Sequence, residues 1–235
     1  MENKQVQDLL YQALETELGG VEIYRMAILC ARNEELKEEW TKYGEQTERH
    51  VQILREVFDA LGMDPEATTP GRMIVREKGK TLVAAMRRAL KDAPEAAQVV
   101  AAECVVDAET KDHRNWELIG AVGEKMTGKG GEALVEAYEQ VEDEEDEHLY
   151  HTMGWCRELW LDSLGLPAVL PPPEEEEDVE TAVAEARVNQ QRKEAVKRNR
   201  RQIEAPQAKK SPGKRPRAWG ERAPLSSRAE RGTPF

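Results

Sequence analysis

Val141-Glu142-Asp143-Glu144-Glu145-Asp146-Glu147-His148-Leu149-Tyr150-His151 is the stretch around which the rest of the chain is organised. Within it stands Glu145-x-x-His148. Residues three apart on a helix share one face, about 60° apart around the axis. The remainder of that face is apolar: Leu134, Tyr138 and Val141 before the pair, Trp155 and Leu159 after it. A carboxylate and an imidazole set into a core stripe are costly unless something satisfies them, and a bound metal is one such thing. Taken alone the pair is a weak signal, because an acidic run such as Glu142–Glu147 usually marks a solvated face. The pair gains meaning only if other helices supply further ligands.

Three more helices are legible from apolar spacing. The first runs from about residue 6 to 30, with Leu10, Ala13, Leu14, Val21, Tyr24 and Ile28 on its stripe. Asn33 is placed to cap a second, over about 34–61, with Leu36, Trp40, Tyr43, Thr47, His50, Leu54 and Val57 in line. Residues 63–79, punctuated by Pro65, Thr68-Thr69-Pro70-Gly71 and Gly79, read as a long connection. A short helix over about 81–90 is expected within it. A third long helix covers about 95–122, and a fourth about 132–164, closed by Gly165 and Pro167. The fold class is therefore all-α: two antiparallel helices, a long crossover, then two more.

Composition agrees. Of 235 residues, 34% are charged and 5% aromatic, a balance that suits long solvated helices better than a β-sandwich. The charge is uneven. Arg187–Phe235 holds 15 Lys+Arg against 4 Asp+Glu, and the first 186 residues hold 19 against 42. The chain thus divides into a helical body, residues 1–170, and a tail, residues 171–235, acidic and then basic, with the Pro/Lys/Arg-rich end expected to be disordered. Cys30, Cys104 and Cys156 form no CxxC pair, which excludes a zinc ribbon, a rubredoxin site or a disulfide framework and fits a reducing compartment. No apolar signal core or membrane span is evident, so a cytoplasmic location and no membrane partner are expected.

Each long helix carries a polar group where its core stripe calls for an apolar one. These are Glu17 in the first, His50 in the second, Glu109 in the third with His113 a turn on, and Glu145 with His148 in the fourth. A four-helix bundle turns such stripes inward, and carboxylates with imidazoles suit one or two first-row metals. Glu17-x6-Tyr24 is echoed by Glu109-x6-Trp116, as an internal duplication would produce.

Glu on one helix and Glu-x-x-His on the next, repeated, resembles the ferritin-like di-iron carboxylate proteins such as rubrerythrins, bacterioferritins and ferritins. The resemblance covers roughly residues 6–165. It implies a four-helix bundle with its long crossover between helices 2 and 3, an iron cofactor (manganese or zinc as alternatives), and oxidation of Fe(II) or reduction of a peroxide. It further implies metal ligands at Glu17, His50, Glu109, Glu145 and His148, and electrons from an external donor, since no rubredoxin-type motif is present. A homodimer is the modest expectation for such bundles.

Helix 2 departs from the pattern. Thr47 stands three before His50, where the family has a Glu. Glu48 lies about 200° and Glu45 about 140° around the helix from His50, and Gln46, on the right face, is neutral. The site is then a di-iron centre with a weakened bridge, a mononuclear centre, or one that has lost its metal. The rival readings are a metal-free helical interaction protein, and a Dps-like protein using the basic tail on nucleic acid. Against the latter, Trp219 alone interleaves the basic residues. His151 reads as a surface histidine, Glu103 as a surface carboxylate, and Glu17, if not a ligand, as a partner for Arg25.

Overall fold

Asn3, Asn33 and Thr69 each accept a hydrogen bond from the backbone of the turn that follows, and a long helix begins at each. The computed structural model describes residues 3–172. Its elements are α1 (Lys4–Cys30), α2 (Glu34–Leu61), α3 (Pro70–Asp92), α4 (Ala97–Gly123), α5 (Lys129–Glu139) and α6 (Glu142–Ser163). No strand occurs among the described residues. None of these helices is long and apolar enough to cross a membrane. Beyond residue 172, the acidic and basic tail expected over 171–235 lies outside the described residues.

Two of the expected boundaries change. Residues 70–92 are one continuous helix, not a loop with a short helix at 81–90. Thr69-Pro70 starts it: Thr69 Oγ1 accepts from Arg72 N at 3.1 Å, and proline at the first helical position loses no hydrogen bond. Gly71 lies close against α1: a Cβ there would sit 2.6 Å from the Asp8 carboxylate, so the ends of the Asp8 and Gln12 side chains would have to shift. The expected helix 132–164 is two helices, broken at Gln140-Val141. The break turns Glu142, Asp143, Glu144 and Glu145 into the first turn of α6, where acidic side chains favour the positive end of the helix dipole.

The core is two apolar clusters with a polar layer between them. One holds Ile23, Tyr24, Trp40, Tyr43, Val105 and Trp155. The other holds Leu10, Leu14, Leu54, Phe58, Trp116, Ile119 and Val141. α1 and α6 run from the second cluster to the first, and α2 and α4 from the first to the second. The chain leaves α2 at one end of the body and must start α4 at the other. The 23-residue α3 spans about 34 Å and makes that return. It packs on α1 and α4.

Candidate metal centre

The polar layer lies mid-way along α1, α2 and α4 and at the start of α6. Glu17 comes from α1, Gln46, Thr47 and His50 from α2, Glu109 and Asp112 from α4, Glu145 and His148 from α6; all are buried. The five residues Glu17, His50, Glu109, Glu145 and His148 therefore meet in one layer, with Glu17, His50 and His148 fully buried.

The two imidazoles are aimed alike. Their rings stack 5.6 Å apart at 25°. His50 Nε2 is 2.8 Å from Glu144 Oε2, and His148 Nε2 is 3.0 Å from Gln46 Oε1. Both partners accept a hydrogen bond, so each ring carries a hydrogen on Nε2 and turns Nδ1 inward. His50 Nδ1 is 3.0 Å from Glu145 Oε1 and 3.5 Å from Glu17 Oε1. His148 Nδ1 is 3.7 Å from both Glu145 Oε1 and Glu109 Oε2. Despite that proximity, neither Nδ1 has an aligned hydrogen bond. Glu17 Oε2, Glu109 Oε2, Glu145 Oε2 and Asp112 Oδ1 are buried without a hydrogen-bond partner as well.

Two groups of ligand atoms lie within 4.8 Å of one another: His50, Glu145 and His148, and Glu17, Asp112 and Glu145. Glu145 belongs to both. Glu109 borders the first group through His148. Burial, with Glu17 and Glu109 close by, pushes the Glu145 carboxyl up to about 7 against the pull of His50. Burial and the same acidic neighbours hold Asp112 well above the usual carboxylate range. Burial works against a charged His50, but Glu17 and Glu145 raise its pKa to about 11. The layer gathers negative charge away from water and answers it with protons or with a cation.

Asp112 joins the layer although nothing in its own helix stripe marks it. Its signal was Glu109-x-x-Asp112, the same i, i+3 spacing that marked Glu145-x-x-His148. Glu144 reads from sequence as part of an acidic run, yet it orients His50 and is itself paired with Arg49 at 2.7 Å. His113 does not join the layer: its Nε2 is 2.7 Å from Asp146, on a partly solvated face. Arg25 pairs with Glu22 and Glu48, not with Glu17. Glu103 accepts from Trp160 at the surface. His151 is not a free surface histidine, because its Nδ1 is 2.9 Å from the Tyr43 hydroxyl.

A cleft of about 740 Å³ between α1, α3 and α4, lined by Ile23, Met73, Val75 and Leu82 among others, includes none of the layer's side chains. Comparison with models of protein families, with curated proteins and with solved structures finds no match.

Proposed function

We propose that the helical body is a ferritin-like four-helix bundle, its fourth helix broken into α5 and α6, that binds iron in the buried layer. One observation carries this reading. Two imidazole nitrogens and four carboxylate oxygens of one layer are buried with no hydrogen-bond partner. Such atoms are expensive to leave unsatisfied, and one or two cations would satisfy them together. The donor set of carboxylate oxygen and imidazole nitrogen suits iron, manganese or zinc.

His50, His148 and Glu145 would hold one position, with Glu109 beside it. Glu17, Asp112 and Glu145 would hold the other, so Asp112 contributes the carboxylate that Thr47 does not. Glu144 and Gln46 fix the two imidazoles by accepting from Nε2. Trp116 Nε1 donates to Glu17 Oε1 at 2.6 Å and holds that carboxylate in place. Trp116 packs its ring near His50, and Tyr24 and Tyr43 pack theirs near His148.

Bound iron would supply one-electron redox chemistry and Lewis acidity toward an oxygen species. The reaction class is oxidation of Fe(II) or reduction of a peroxide, with electrons from an external donor. The chain's contribution is a set of carboxylates able to change between shared and terminal binding, and a protonatable Glu145 at the centre.

The test is metal content by inductively coupled plasma mass spectrometry, on protein purified without chelators and refilled with Fe(II), Mn(II) or Zn(II). On the order of one or two ions per chain is expected, lost in Glu145→Ala and in His148→Ala. No retained metal in protein of intact helicity would overturn the reading.

A further inference from the structure

The cleft between α1, α3 and α4 has apolar walls and carries two lysines, Lys78 and Lys111. Ile23 of α1, Val75 of α3 and Ala108 of α4 are buried along it, while Met73 and Ile74 of α3 stand 37% and 59% exposed. Its volume of about 740 Å³ lies within the roughly 300–1,000 Å³ of small-molecule pockets. Gly19 of α1 keeps it open, because a Cβ added there meets no atom within 4 Å. No candidate metal ligand lines it.

The charges of the cleft are not balanced. Glu15 pairs with Arg72 and Arg76, and Glu77 with Lys80. Asp107 is shared with a second hollow beside Cys104 and Cys156, where burial, with Asp107 and Glu103 close by, pushes both thiols up to about 11. The two lysines form no ion pair among the described residues. Lys111 is half-buried and donates to Asn115 Oδ1, a neutral partner whose own amide donates to Thr16 Oγ1 at 3.0 Å. Asp112, the next residue, belongs to the buried layer with Glu17 and Glu145. Burial lowers the Lys111 pKa, and Lys78 and Arg114 add to the effect. A cation drawn out of water with only a neutral partner favours an anion beside it.

We propose that this cleft binds a fatty acid, an unbranched hydrocarbon chain ending in one carboxylate. The chain lies against Ile23, Met73, Ile74, Val75 and Leu82, and the carboxylate is the counter-charge of Lys111 and Lys78. Burying the chain removes the exposed apolar surface of α3 from water. An apolar helix of a second copy would also cover Met73 and Ile74, but it would bring no anion to Lys111.

The experiment is isothermal titration calorimetry of the full chain with dodecanoate below its micelle concentration, with helicity followed by circular dichroism. One saturable site per chain is expected. Affinity should fall about fourfold for each CH₂ removed, read with decanoate and octanoate. It should fall about tenfold or more in Lys111→Met, and much less in Lys111→Arg. Gly19→Leu puts a side chain into the cleft at a position where leucine suits a helix better than glycine, and should abolish binding. If that variant fails to fold, Lys111→Met carries the test. The absence of a saturable site would overturn the proposal. So would dodecyltrimethylammonium binding as tightly as dodecanoate, an affinity unchanged in Lys111→Met, or binding that survives in folded Gly19→Leu.

Discussion

Trp116, on α4, donates its indole N–H to Glu17 Oε1, on α1, at 2.6 Å. Glu109, seven residues before Trp116, in turn lies against Tyr24, seven residues after Glu17. Burial and that carboxylate hold the Tyr24 phenol well above its ordinary pKa. The aromatic of each half faces the acid of the other, which gives the Glu-x6-aromatic echo a structural role.

Trp116→Phe removes the hydrogen bond that Glu17 Oε1 receives. The expected cost in metal-free protein is about 1–3 kcal/mol from leaving a buried acceptor unpaired, on top of the loss of ring size. Trp40→Phe is the control for size, because Trp40 is fully buried and its Nε1 has no partner. Urea unfolding of the two variants decides it. Equal destabilisation would mean that the Trp116–Glu17 bond contributes nothing.

The layer also fixes a pH dependence. Glu145 rises from an ordinary 4.5 to about 7, and His50 from 6.5 to about 11. Both groups bind protons more tightly folded than unfolded, so their contribution is present at low pH and lost as pH rises through these values. Metal-free protein should therefore lose melting temperature between about pH 5 and pH 8, as Glu145 ionises. A bound cation replaces the proton, so the gain in melting temperature on adding Mn(II) or Zn(II) should grow over the same interval. A gain that shrinks toward pH 8 would contradict this ordering.

The crossover helix is anchored by a buried ion network. Arg72 Nε is 2.7 Å from Glu15 Oε2, and Arg76 Nε is 2.6 Å from Glu15 Oε1. Arg72 is 3% exposed and also donates to the carbonyl oxygens of Pro65 and Ala67. Glu15→Gln would leave Arg72 buried without its counter-charge, at a cost of about 3–5 kcal/mol. Hydrogen exchange should localise the loss to residues 70–92. Replacing Glu15 and Arg72 together by Met should cost less than Glu15→Gln alone; a double variant at least as unstable would refute the network.

The sequence carried most of this layer because each ligand-type residue interrupted an apolar stripe at a fixed spacing. Glu17, His50 and Glu145-x-x-His148 were legible one helix at a time. Asp112 was not, because it lies beside the stripe and only the convergence of α1 and α6 on α4 shows what it faces. Glu144 was hidden for the same reason: a charged residue on a helix reads as solvated until its cross-helix neighbour is known. The crossover failed differently. Thr69-Pro70-Gly71 contains a helix cap, a helix start and a glycine close against α1, and the same three residue types also mark turns. Only the contact with Asp8 separates the two readings.

Thr47 is where the iron reading is most exposed to test. It is 2% exposed, its hydroxyl donates to the Tyr43 carbonyl at 2.9 Å, and its methyl lies over Gly20, where a Cβ would meet it at 3.1 Å. Thr47→Glu would bring a further carboxylate into a layer already short of positive charge, in a place with little spare volume. Metal-free protein should therefore be destabilised by about 1–3 kcal/mol from overpacking, and by more as pH rises and the acids ionise. With metal the sign reverses: the added carboxylate stands three residues before His50, on its face of α2, and supplies a ligand. The rise in melting temperature on adding Fe(II) anaerobically should be larger in Thr47→Glu than in the natural chain. A smaller rise, with iron content reduced, would show that Thr47 serves the packing of α1 against α2 and that the carboxylates of α1, α4 and α6 already complete the site.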